Sequence, residues 1–276
     1  MLSLEENRIT ELYVWVDDSL PKSFTKSGAG RPSLLSDSEV LTILLWNAMV
    51  LRQKTLKDIH RSMRLYHFKD FPMFPQYSAF VSHCHKLIPA LHFLLQSLLD
   101  DTAPLRIMDS TMLPVCKLIR ADSHKVAVDI ADFGKNWQGW HFGFKLHASI
   151  SPRNTLCAVA LTPASFYDAQ AMPKLLNKYA RLAVGDTLYG ASVMRKKIWE
   201  EYGTIVIAPP HPKQKKKIVA FWQIFLLEMR PKIESVWDYL KEHMHLVSSF
   251  PRSVSGYILH YLRILLSYQL LALASL

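Results

Sequence analysis

LRIMD at residues 105–109 decides the fold, and LAVGD at residues 182–186 repeats its pattern. Each is a short aliphatic run that ends in aspartate. A strand has a side-chain period of two, so Leu105 and Ile107 share a face with Asp109, and Leu182 and Val184 share one with Asp186. A carboxylate at the end of a buried strand is costly unless it is paired or bound to a cation. In open α/β sheets, ligands sit outside the carboxyl ends of the strands. Either aspartate alone also reads as a cap or turn residue. Two in matched contexts shift the balance towards a metal site.

Between these two runs, His141–Ser151 and Thr155–Pro163 alternate apolar and polar residues around the turn Pro152-Arg153-Asn154. That pattern predicts an antiparallel hairpin. The preceding stretch, with Lys135, Trp137 and Trp140, reads as a long connection. A helix is expected over 168–179 with Asp168 at its N-cap, a second over 189–202, and a strand over 204–208. Three strands followed by alternating helix and strand describe a mixed α/β sheet. Upstream, helices are expected over 1–20, 55–66, 76–86 and 91–99, with a flexible connection at 22–33. Ser36 and Glu39 form a capping box ahead of the apolar run 40–50. Residues 1–100 therefore read as all-helical and residues 101–276 as a mixed α/β domain. Lys57, Arg61 and Arg64 suit docking on DNA, although helical packing accounts for them as well.

A third carboxylate comes from EMRPKIESVWDYLK at residues 228–241. Pro231 suits the first turn of a helix. Ile233, Trp237, Leu240 and Met244 then fall at i, i+4, i+7 and i+11, an apolar stripe for packing on a core. Glu234 and Lys241 lie along one edge of it, suited to a metal and a phosphate respectively or to a solvated helix edge.

The formal net charge is +10. Residues 1–100 carry 11 Lys/Arg against 10 Asp/Glu, and residues 101–276 carry 22 against 13. Such an excess favours a polyanion, nucleic acid first and an anionic membrane second. Lys213, Lys215, Lys216 and Lys217 form a basic run just before the Glu234 helix, a DNA contact or a solvated loop. Lys145 and His147 share a strand face opposite Phe142, Phe144 and Leu146, which makes Lys145 another candidate DNA contact. Trp140, with Lys135 and Trp137 nearby, suits stacking on a frayed base, or a place in the core. Three widely spaced cysteines, Cys84, Cys116 and Cys157, make neither a disulfide framework nor a zinc site and fit a reducing compartment. The N-terminal MLSLEENRIT has acidic residues where a signal peptide needs basic and apolar ones, so no export is expected. Residues 256–276 approach the length of a membrane span, but His260, Arg263, Ser267 and Gln269 argue for a buried or partner-packed helix.

Asp109 in RIMDST, Asp186 in AVGDTLYG and Glu234 in RPKIESVWDYLK resemble the acidic triad of DDE transposases encoded by bacterial insertion sequences. The family's Tyr-x2-Arg-x3-Glu-x6-Lys signature is matched at Arg230, Glu234 and Lys241, while Leu227 stands at the tyrosine position. Thr187-Leu188 stands where many relatives carry Lys-Gly. GWHFGFKLHASI, LTPASFYDAQ and LSDSEVLTILL are similar to further family segments, so the resemblance covers nearly the whole chain.

The resemblance implies a ribonuclease-H-like mixed sheet flanked by helices as the catalytic domain, residues 101–276, behind a helical DNA-binding or dimerisation region, residues 1–100. Asp109, Asp186 and Glu234 would hold two Mg²⁺ ions, with Mn²⁺ as a substitute. The reaction implied is cleavage of double-stranded DNA at the element's terminal repeats, then attack of the new 3′-OH on target DNA. Lys241 and Arg230 would meet phosphates. A homodimer on DNA, in the cytoplasm and at the nucleoid, would be the working form, with no role for a membrane. Two alternatives share the fold: a metal-dependent nuclease that does not join, and a transposase-derived DNA-binding regulator with an inactive site.

Overall fold

The computed structural model describes residues 2–21, 23–24, 33–211, 220–247 and 251–274. Two compact units emerge: Met1–Leu98 with Leu240–Leu271, and Leu99–Tyr239 with Ala272–Leu276. The helical unit thus takes in Leu240–Leu271 besides the N-terminal helices expected at 1–100. Sequence alone cannot show this, because the association is made by tertiary contacts.

The helical unit begins with α1 (Leu2–Ser19), α2 (Asp37–Trp46), α3 (Leu56–Tyr66), α4 (Tyr77–Lys86) and α5 (Ile88–Leu98). The capping box forms at α2: Ser36 Oγ accepts from the Glu39 N–H at 3.1 Å, and the Glu39 carboxylate accepts from the Ser36 N–H. Every residue from Val40 to Trp46 is buried, so α2 runs through the middle of this unit. The helix ends in a π-helical turn, Asn47–Leu51, closed by Arg52 in the left-handed region. At the start of α3, Thr55 caps the Asp58 N–H.

The second unit is built on a sheet of β1 (Leu105–Pro114), β2 (Asp132–Asn136), β3 (Gly139–Ile150), β4 (Leu156–Pro163), β5 (Leu182–Val184) and β6 (Ile205–Ile207). β3 pairs antiparallel with β1, β2 and β4, while β5 lies parallel between β1 and β6. Leaving the short ribbon β2 aside, the order β4-β3-β1-β5-β6 is the ribonuclease-H-like sheet expected. The hairpin turn closes with the Ser151 N–H on Thr155 O at 2.9 Å, and Asn154 takes the left-handed conformation. β2 replaces part of the expected connection. Its sequence, DFGKN, has no aliphatic alternation to reveal it.

The alternation of β1 divides the helices between the two faces. Met108, Ala183 and Val206 pack with Met172 and Leu175 of α6 (Met172–Leu175) and Ile198 of α7 (Ser192–Tyr202). On that same face Arg106 is fully buried and donates from all three of its nitrogens, to Ala103 O, Asp101 O, Leu175 O and Asn177 Oδ1. The helix expected over 168–179 is shorter: a 3-10 turn, Asp168–Ala171, leads into one turn of α6.

Beyond β6, α8 (Phe221–Leu227) precedes α9 (Pro231–Asp238), which packs against β1. Pro231 opens α9 as expected, and Ile233 and Trp237 are buried. After Asp238 the chain switches to a π-helical turn, Tyr239–His243, so the regular 3.6-residue spacing stops there. Leu240 and Met244 are also buried, but they belong to the helical unit. That unit ends with α10 (Val254–Ala274). α10 is long and apolar enough to cross a membrane by length and composition. Here it is a packed helix: Tyr257, Leu259, Ile264 and Leu266 are buried, and Gln269 Nε2 donates to Leu98 O at 2.6 Å.

Candidate active site

Asp109 and Asp186 meet because their strands are neighbours. Ile107 and Val184 are the last pair of the parallel β1–β5 ladder. Two residues beyond each stand the aspartates. Asp109 is still held in β1 by its pairing with Ala148 of β3. Asp186 has left β5 and caps the 3-10 turn Thr187–Gly190, accepting from the Leu188 N–H at 2.9 Å. Trp237, on the buried side of α9, donates from Nε1 to Asp109 Oδ2 at 3.0 Å.

The electrostatics record this crowding. Burial pushes Asp109 up to about 6, and the charge of Asp186 pushes the same way, against the N–H donors of Ser110 and Trp237. Asp186 is raised as well, chiefly by burial and then by the charge of Asp168, while Arg230 pulls it down. Gly185 lets Tyr189 close the site from below: a Cβ there would lie 2.6 Å from the Tyr189 ring. Tyr189 is itself fully buried, and its ionisation is pushed far up by burial and by the charges of Asp168, Asp109 and Asp186.

Glu234 does not converge on the aspartates in the same way. Its carboxylate is half exposed and pairs with Arg230 at 2.7 Å. Arg230 therefore serves two acids, contacting Glu234 and acting through space on Asp186. Among the described residues, no three His, Cys, Asp or Glu side chains come close enough together to hold a metal ion. The donor set still fits one. Two carboxylates whose ionisation is resisted by burial and by negative neighbours are what a divalent cation relieves. Asp109 and Asp186 would hold it, with Glu234 completing the set once released from Arg230. Lys241 lies in the π-helical turn Tyr239–His243 and in the helical unit.

On the opposite face of β1 the structure corrects two expectations together. Lys145 is buried, not presented to DNA: its ammonium lies 3.0 Å from Asp168 Oδ1 and donates to Phe166 O at 2.9 Å. Asp168 is not a helix cap but the buried counter-ion of Lys145, and it also accepts from Ser110 Oγ at 3.0 Å. Beside them His147, fully buried, donates to or accepts from Thr162 Oγ1 and has its pKa depressed to about 4, chiefly by burial. Sequence offered a signal for this pair only in retrospect. The strand face of Lys145 is covered by the residues that follow β4.

Lys135 and Trp140 form a contiguous surface. They are directly opposite in the β2–β3 ribbon, with Lys135 Nζ 5.7 Å from the Trp140 ring centroid. Trp140 is 54% exposed, so it is no core residue, and Trp137 at the ribbon tip is 90% exposed. Lys213, Lys215, Lys216 and Lys217 lie outside the described residues. Just past Asp186, a cavity of about 380 Å³ is lined by Thr187, Arg195, His211 and Gln223.

A family model described as a transposase DDE domain matches residues 100–254, more than half of the chain. No curated protein matches. Among solved structures, a chain in the crystal structure of a pre-cleavage Mos1 transpososome is similar over 91% of this chain and 81% of that one. The identity is 13% and the TM-score 0.22, a likeness too loose to bear on the fold or the site.

Proposed function

The chain belongs to the transposase DDE domain family and is a transposase; we propose that it serves a bacterial insertion sequence, cutting DNA at the element ends and joining the freed 3′-OH to target DNA. The meeting of Asp109 and Asp186 at the ends of adjacent parallel strands supports this most strongly. When bound, Mg²⁺ or Mn²⁺ supplies charge stabilisation for the attacking and leaving oxygens of an in-line displacement. Asp109 and Asp186 hold that charge, and Trp237 fixes the orientation of the Asp109 carboxylate. Arg230 pairs with Glu234 in the free protein and would meet a phosphate of bound DNA. Lys241, at the lysine position of the family signature, neutralises a DNA phosphate. The protein acts as a homodimer on DNA, in the cytoplasm and at the nucleoid.

Detection of joined products separates a transposase from a nuclease. A labelled duplex that carries the DNA flanking this gene, incubated with a plasmid target and Mg²⁺, should yield strands covalently joined to the plasmid. Cleaved but unjoined ends would favour the nuclease alternative. The regulator alternative draws on Leu227, on Thr187-Leu188 and on the Arg230–Glu234 pair, and tight binding without chemistry in any divalent metal would favour it.

The ribbon carrying Lys135, Trp137 and Trp140 is proposed as part of the DNA surface, together with the lysines at 213, 215, 216 and 217. Base–aromatic stacking contributes about 1–3 kcal/mol per base. Trp140→Ala should therefore weaken binding of frayed-end duplexes by roughly 10- to 100-fold, read by fluorescence anisotropy. Unchanged affinity would remove Trp140 from the surface.

A further inference from the structure

Arg106 and Arg263 are both fully buried arginines, and they differ in one respect. Arg106 gives its donors to four acceptors. Arg263, on α10, spends Nη2 on Gln53 O, Lys54 O and the Nδ1 of His260. Its Nη1 has no partner among the described residues, and no carboxylate pairs with it there. His260 does not compete as a cation. Its Nε2 faces the carbonyls of His245 and Leu246, so Nδ1 is the acceptor for Arg263, and burial with the Arg263 charge depresses its pKa to about 3. An uncompensated buried guanidinium costs several kcal/mol unless an anion meets it.

Arg263 lines a solvent-open cavity of about 610 Å³ in the helical unit, a volume suited to a small ligand. Two helix starts open onto it: Thr55, Leu56 and Lys57 of α3, and Ser253 and Gly256 of α10. The Asp58 and Gly256 N–H groups are capped by Thr55 Oγ1 and Ser253 Oγ, so what the two starts offer is the positive end of each helix dipole, which favours anions. Lys54, Lys57 and Arg252, all exposed, complete the rim, and no lining residue is acidic.

We propose that this cavity is a phosphate-binding site, held by Arg263 from within and by Lys57 and Arg252 at the rim. It is separate from the carboxylate site, so its fate does not depend on the cleavage chemistry. Shape and charge suit the phosphate of a small molecule and a backbone phosphate of DNA alike.

The test uses the full chain in EDTA, titrated with inorganic phosphate and pyrophosphate by calorimetry and thermal shift. Wild type should bind and be stabilised, and the double variant Lys57→Gln, Arg252→Gln should bind at least roughly tenfold more weakly. Both residues are exposed, so the variant is expected to fold; Arg263→Met is a second variant, checked by circular dichroism before use. Displacement of phosphate by a duplex would identify DNA as the source, and failure to displace it would identify a small phosphorylated ligand. The proposal is overturned if wild type binds neither anion, or if the double variant binds both as tightly as wild type.

Discussion

Asp109→Asn should abolish cleavage and, in the metal-free protein, raise stability. The loss of cleavage is expected to be on the order of 10³-fold or more, the scale on which single catalytic groups act. The gain in stability follows from the raised pKa. The folded chain holds the Asp109 proton up to about pH 6, above the ordinary carboxylate range, so ionising the group costs stability as pH rises through that value. An amide carries no such cost and can still accept from Trp237 Nε1. The variant should therefore match wild type below about pH 4 and exceed it by about 1–3 kcal/mol above pH 6, measured by urea unfolding in EDTA. A residue that served the fold alone would lose stability on the same exchange. Opposite movement of activity and stability is the mark of a carboxylate retained for the cation it binds.

Asp168→Ala is expected to cost about 3–5 kcal/mol, because it leaves the Lys145 ammonium buried without its counter-ion. It also removes the acceptor of Ser110 Oγ. The double variant Asp168→Ala, Lys145→Met should recover most of that loss, since a buried pair replaced by apolar side chains is often close to neutral. Had Asp168 been the helix cap that its sequence position suggests, the loss would be about 1 kcal/mol and Lys145→Met would restore nothing. Urea midpoints of wild type and the two variants distinguish the two roles.

The strands that carry the aspartates, and the hairpin beside them, were legible because their side chains alternate and the turn at Pro152-Arg153-Asn154 is marked by residue type. Asp109 and Asp186 stood out through matched contexts, and the sheet brings them together as neighbours. Lys145 was not legible. A basic residue among alternating strand positions looks the same whether solvent or a distant carboxylate receives it. The same holds for the division of the chain, since the apolar faces of α10 and of Leu240 and Met244 announce burial without naming what buries them. The spacing of Glu234 and Lys241 presumed one regular helix, and the π-helical turn Tyr239–His243 ends that regularity. The pairing of Arg230 with Glu234 at i, i+4 was foreseeable from spacing alone. Its reach to Asp186 was not, because it depends on where α9 docks.

The most direct measurement is cleavage of a labelled duplex bearing the element ends, with Mg²⁺ and then with EDTA, by wild type and by Glu234→Gln. The expected result is nicking at the ends that needs the metal and disappears in Glu234→Gln, which would join the exposed glutamate to the two partly buried aspartates in one site. Metal-dependent nicking that survives in Glu234→Gln would contradict that assignment and leave Glu234 as the surface partner of Arg230.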